Sequence, residues 1–179
     1  MFLWIACLLA CNSNDRTPVR GNLQNCKGKK VYFEICGQDT TITVALDSVG
    51  NFEINLPLRE AGYVRLANGK AAFPLYLQPG EKVQVKMDVE KVQNGDYKSV
   101  ELVEGNNPET RMMVDYYEKQ WFPSTQEMFV LPPVDFKQMM DSIVRYNDAI
   151  ITNFVKKTPC DPEFERLFRI QVKVPLAAS

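Results

Sequence analysis

Between Val19 and Val103 apolar and polar side chains alternate, and this pattern leaves the chain little choice of fold. Successive side chains of a strand point to opposite faces, so an alternating run buries one face and wets the other. Val31, Phe33 and Ile35 form one such set, and Ile42, Val44 and Leu46 another. Phe52, Ile54 and Leu56 follow, then Val64 and Leu66, then Phe73, Leu75 and Leu77, then Val83, Val85 and Met87. Gly37-Gln38-Asp39, Ser48-Val49-Gly50-Asn51, Asn68-Gly69 and Gln78-Pro79-Gly80 interrupt the runs with residues that reverse the backbone or tolerate positive φ. With Val19 to Gln24 in front and Ser99 to Val103 behind, the pattern predicts about eight strands over residues 19–105, spaced as in an antiparallel β-sandwich. Asn68-Gly69 is the strongest hairpin signal, because the dipeptide suits a type I′ turn.

The period then lengthens. Asn107-Pro108-Glu109 combines a capping side chain, a proline with preset φ and an acid at the positive end of a helix. A helix is expected from Pro108 to about Trp121, with Met112, Met113, Tyr116, Tyr117 and Trp121 as its apolar stripe. A loop through Pro123, Pro132 and Pro133 follows, and Asp135 is placed to cap a second helix reaching about Lys157. Phe136, Met140, Ile143, Ile150 and Phe154 keep the 3.6-residue period along it. Asp161-Pro162-Glu163 starts a third helix, carried by Phe164, Leu167, Phe168, Val172 and Val174 until Pro175. The fold class is therefore α+β, an antiparallel sandwich of about eight strands followed by about three helices over residues 106–179. The ending Leu176-Ala177-Ala178-Ser179, with neither a glycine cap nor a polar tail, reads as a truncated end.

Composition narrows the chemistry. The 179 residues are 45% hydrophobic and 24% charged, the balance of an ordinary globular chain. Twenty-one basic against twenty-two acidic side chains give a net charge of −1, which gives no support for nucleic-acid binding, since that relies on a basic surface. The chain has no histidine, so Ser-His and Cys-His catalytic pairs and imidazole-ligated zinc are excluded. No C-x-x-C is present among Cys7, Cys11, Cys26, Cys36 and Cys160, so no redox dithiol of that kind lies in this stretch. Cys26 and Cys36 flank an extended strand and are expected to stand further apart than the ~7 Å a disulfide tolerates. Neither a metal nor a cofactor is expected.

Met1 to Ala10 are almost wholly apolar, and the chain turns polar directly after Cys11. A bilayer core needs about 20 helical residues, so this run has the length of a signal-peptide core rather than of an anchor. Leu8-Leu9-Ala10-Cys11 resembles the bacterial lipobox, in which a small residue precedes the cysteine whose thiol receives the diacylglycerol. Residues 1–18 are thus expected to be a lipoprotein signal peptide and tether, with Cys11 as the lipid attachment site. Cleavage before Cys7 would place Trp4 at the leucine position, which favours Cys11. The competing reading is a buried N-terminal strand or helix.

Three ordered motifs carry a further resemblance: Asp47-Ser48-Val49-Gly50-Asn51-Phe52, Leu75-Tyr76-Leu77-Gln78-Pro79-Gly80-Glu81, and Glu104-Gly105-Asn106-Asn107-Pro108. From the lipobox to Phe168 the chain resembles the N-terminal region of TlpA-like lipoproteins of Bacteroidetes, where a β-rich domain and a helical segment precede a thioredoxin-like disulfide reductase domain. The resemblance implies a periplasmic, membrane-anchored protein of a Gram-negative cell envelope, with the downstream thioredoxin-like domain as partner. It also implies that the catalytic W-C-x-x-C lies beyond Ser179, so no catalytic residue carries over and this stretch is not itself an enzyme. The alternative is a stand-alone lipoprotein module binding a small ligand, peptide or glycan.

Other clusters have plainer readings. Asp161, Glu163 and Glu165 sit where acids favour a helix start. Tyr63, Tyr76, Tyr97, Tyr116, Tyr117, Trp121 and Phe122 either line a groove between helices and sandwich or fill a core. Lys27, Lys29 and Lys30 flank a glycine in a solvated turn. Met112, Met113, Met139 and Met140 are either an adaptable partner surface or gap-fillers in the helix layer.

Overall fold

The computed structural model describes residues 16–104 and 107–177. Eight strands are present among them: β1 (Thr17–Gln24), β2 (Lys30–Ile35), β3 (Thr41–Ala45), β4 (Asn51–Leu56), β5 (Gly62–Asn68), β6 (Ala71–Leu77), β7 (Val83–Asp88) and β8 (Val100–Glu104). They form two four-stranded sheets, ordered β4-β1-β7-β8 and β3-β2-β5-β6. The inward sets are those the alternation marks: Val31, Phe33, Val64, Leu66, Phe73, Leu75, Val83 and Val85 are all at most 2% exposed. Phe33 of one sheet meets Phe52 of the other edge-on, with ring centroids 5.5 Å apart. Gly21 makes room for that ring, since a Cβ there would lie 2.4 Å from the Phe52 side chain.

The sandwich is mixed rather than wholly antiparallel, because β1 and β7 pair in parallel, Val19 opposite Val83. The cause is visible at their shared starting end. The Thr17 hydroxyl donates to the Gln78 carbonyl at 3.2 Å and accepts from the Gly80 N–H at 3.1 Å. The turn that carries the chain from β6 into the other sheet is thus fastened to the beginning of β1, and β7 leaves it in the same direction. The hairpin at Asn68-Gly69 also differs in detail. Asn68 is the last residue of β5, and Gly69, with φ of +60°, opens the two-residue turn. Lys70 has no positive φ, the pattern of a type II′ rather than a type I′ turn. The Asn68 side chain instead clamps the neighbouring lysine turn, accepting from the Lys27 N–H at 2.9 Å and donating to the Lys30 carbonyl at 2.8 Å.

Three long helices and two short ones accompany the strands among the described residues. Helix α1 (Val89–Gln93) and a 3-10 turn (Tyr97–Ser99) link β7 to β8. Helix α2 (Pro108–Lys119) is followed by α3 (Thr125–Phe129), a single turn inside the expected loop, started by a reciprocal Ser124/Glu127 capping box. Helix α4 (Pro133–Val155) begins at Pro133 with no side-chain cap, so Asp135 lies in its first turn rather than capping it. Helix α5 (Pro162–Ala177) continues past Pro175. Met112, Met113, Tyr116, Ile151, Phe164 and Phe168 join the strand residues in one contiguous hydrophobic cluster.

Candidate functional site

The helices meet the sandwich at the free edge of β6. Asn107 caps α2, its Oδ1 accepting from the Thr110 N–H at 2.7 Å. Its amide nitrogen donates to the Tyr76 carbonyl and to the Glu81 carboxylate, the latter at 3.1 Å. The Thr110 hydroxyl accepts from the Tyr76 N–H at 2.9 Å and donates to the Tyr76 carbonyl at 3.2 Å. The second and third motifs therefore form one junction, in which side chains of α2 satisfy backbone groups of an edge strand that would otherwise invite another chain. The first motif is a separate turn near the other end of β1. There Asp47 accepts from the N–H groups of Val49 and Asn51, and these bonds, Asn51 first, hold its carboxyl below the ordinary value.

Acids gather beside the junction. Glu109 is 3% exposed, and its carboxylate accepts from the Asp161 N–H at 2.8 Å, tying the start of α2 to the start of α5. Asp161 in turn accepts from the N–H groups of Glu163 and Phe164, both at 2.9 Å, the capping role the sequence suggests. Burial, reinforced by the carboxylates of Glu109, Glu165 and Asp161, pushes the Cys160 thiol up to about 12. A thiol held protonated is a poor nucleophile. Burial likewise raises Glu81 and Tyr76. Among the described residues no group of His, Cys, Asp and Glu side chains is arranged to hold a metal ion.

The aromatic residues divide into interior and surface. Tyr76 packs on Phe164 at 4.6 Å, Tyr63 on Tyr76 at 5.3 Å, and Tyr116 on Phe168 at 5.2 Å, so these rings weld α2 and α5 to the sheet, while Tyr116, Tyr117 and Phe122 also line a cavity of about 400 Å³ with Gln120, Gln171 and Val172. Tyr97 and Tyr117 pack with tilted rings, centroids 5.5 Å apart, at the side of the same cluster. Trp121 and Phe122 stand at the surface, 41% and 43% exposed. Met112 and Met113 are buried and Met139 and Met140 half-buried, while Lys27, Lys29 and Lys30 are exposed.

An apolar trough lies between α2 and α4. Glu109, at the start of α2, meets Asp161 beyond the end of α4, and Trp121, just past α2, meets Asn147 midway along α4. The two helices are therefore antiparallel. Between them is a cavity of about 390 Å³ whose lining includes Tyr146, Ala149, Ile150 and Phe154, with Lys119, Asn153 and Lys157 alongside. Such sizes are typical of small-molecule sites, which combine apolar walls with a few polar groups. One end is held rigidly. Asn147, 3% exposed, accepts from the Trp121 N–H at 2.9 Å and donates to the Trp121 carbonyl at 3.1 Å. Trp121 then meets the Tyr146 ring edge-on at 6.1 Å. Sequence reading missed this trough. Its signal in the sequence is Ala149, a small residue on the helical stripe of Tyr146, Ile150 and Phe154.

Cys11, the predicted lipid site, lies outside the described residues, as does Cys7. Cys26, Cys36 and Cys160 are free. Among the described residues no helix is long and apolar enough to cross a membrane. No family model matches the chain, and no curated protein matches it in sequence.

Proposed function

We propose that this chain is a non-catalytic accessory domain, tethered by lipid at Cys11 in the cell envelope, that positions a thioredoxin-like reductase domain. The observation that carries the reading is the sequence around Cys11. Leu8-Leu9-Ala10-Cys11 matches the lipobox, and only Asn12–Arg16 separate it from Thr17, the first residue of β1. Six residue steps span at most about 20 Å, and Thr17 is fastened to the β6–β7 turn, so a lipid at Cys11 would keep the sandwich close to the bilayer. The motif order, which resembles that of TlpA-like lipoproteins, supports the redox association, and a Cys160 thiol held protonated by burial is a poor nucleophile.

The test has two parts. A radiolabelled fatty acid supplied to expressing cells should enter the chain and fail to enter a Cys11→Ser variant. The purified chain should show no turnover in insulin disulfide reduction; labelling that ignores Cys11, or catalytic turnover, overturns the reading. The trough between α2 and α4 favours a second reading, a lipoprotein module that binds a small ligand.

A further inference from the structure

We infer that the α2–α4 trough binds a small carboxylate amphiphile, its apolar body along Ile150 and Phe154 and its carboxylate at Lys157. The inference deepens the ligand-binding reading and does not depend on lipid attachment. Three observations converge on it. Ala149 is exposed where its helical neighbours are bulky, and the missing side-chain volume leaves the trough open. The aromatic end is preorganised, because Asn147 fixes the Trp121 backbone and Trp121 braces Tyr146, so little ordering is left for binding to cost.

Charge decides the class of ligand. Lys119 is engaged by Asp115 four residues earlier, whereas the Lys157 ammonium has no ion-pair partner among the described residues. The one acid in the lining is thus already neutralised, and the free charge at the far end is positive. From Tyr146 to Val155 the helix rises about 13.5 Å, and Lys157 lies two residues beyond its end, a span long enough for a medium-length alkyl chain with its carboxylate at the lysine.

The chain from Asn12 onward contains every described strand, helix and core residue, and it leaves Trp121 as its single tryptophan. Titrated with decanoate below its micelle concentration, this chain should show a saturable change in Trp121 emission, with decyltrimethylammonium binding far more weakly. Ala149→Leu, which fills the trough from an exposed helical position, should abolish the change. Lys157→Glu should weaken binding about tenfold, and Lys157→Arg should restore most of it. Absence of a saturable signal, equal binding of the cationic surfactant, or indifference to Ala149→Leu would each overturn the inference. Fatty-acid labelling at Cys11 reads separately, so failure here leaves the tether intact as a proposal, and the converse also holds.

Discussion

The hydroxyl of Thr110 serves both backbone groups of Tyr76, accepting from its N–H at 2.9 Å and donating to its carbonyl at 3.2 Å. One threonine in the first turn of α2 thus stands in for the next strand of the sheet at this point on the β6 edge. Thr110 is fully buried, so the bonds are not exchangeable for water. Thr110→Val keeps the shape and removes the hydroxyl. Leaving a buried donor unmet costs about 1–3 kcal/mol. Thermal melts should show Thr110→Val lowered by several degrees and Thr110→Ser nearly unchanged, and equal melting of the two would refute the edge-pairing role.

The periodicity displays the face each strand residue takes, since burial alone sets it, and Val31, Phe33 and Ile35 are buried as expected. Partner and direction are another matter. The parallel β1–β7 pair follows from Thr17 reaching the Gln78–Gly80 turn, a contact across more than sixty residues with no local signature. Short local signals were also outweighed. Asn68 suits a type I′ turn, yet its side chain is used by the Lys27–Lys30 turn, and Gly69 alone supplies the positive φ. At the candidate site the cap at Asn107 was legible because capping is local. The burial of Glu109 and the latch of Asn147 on Trp121 were not, because each needs a partner from a distant helix.

Two glycines with similar φ should respond differently to alanine. Gly50 has φ of +86° and Gly28 +84°, so both variants carry the backbone strain of roughly 1 kcal/mol expected for a side chain in the left-handed region. A Cβ on Gly50 would also stand 2.2 Å from the Leu23 carbonyl oxygen, while nothing lies within 4 Å of one on Gly28. Gly50→Ala must therefore pull apart the bond from the Leu23 N–H to the Gly50 carbonyl, 2.9 Å long. Urea denaturation should show Gly50→Ala destabilised well beyond Gly28→Ala. Matching midpoints would show that this turn can shift at little cost.

Asn147 holds the Trp121 backbone through a donor and an acceptor, and no other natural side chain of its shape supplies both. Asn147→Asp keeps only the acceptor and Asn147→Leu neither. In the chain from Asn12 onward, whose emission reports Trp121 alone, Leu should release the segment after α2 and red-shift the emission, with Asp giving a smaller change. The melting temperature should fall in the same order. A blue shift or no change in the leucine variant would mean that Trp121 is held by its packing on Tyr146 instead.

Alkaline pH should loosen the junction between α2 and α5. Burial raises the Cys160 thiol from an ordinary 9.0 to about 12, and the Tyr116 phenol from 10.0 to about 12. Both groups are neutral when protonated, so the folded chain keeps protons that the unfolded chain releases first. Stability is then undiminished below about pH 9 and declines as pH rises from there towards 12, because the unfolded state binds fewer protons throughout that interval. Cys160→Ala removes the earlier of the two titrations, so its urea midpoint should stay flatter between pH 9 and 10 than that of the parent chain. The thiols give an independent check at pH 8. A chromogenic disulfide reagent should react quickly with exposed Cys36 and slowly with Cys160 until urea opens the fold. Rapid labelling of Cys160 in the native chain would show that burial and the carboxylates around it do not keep the thiol protonated and shielded.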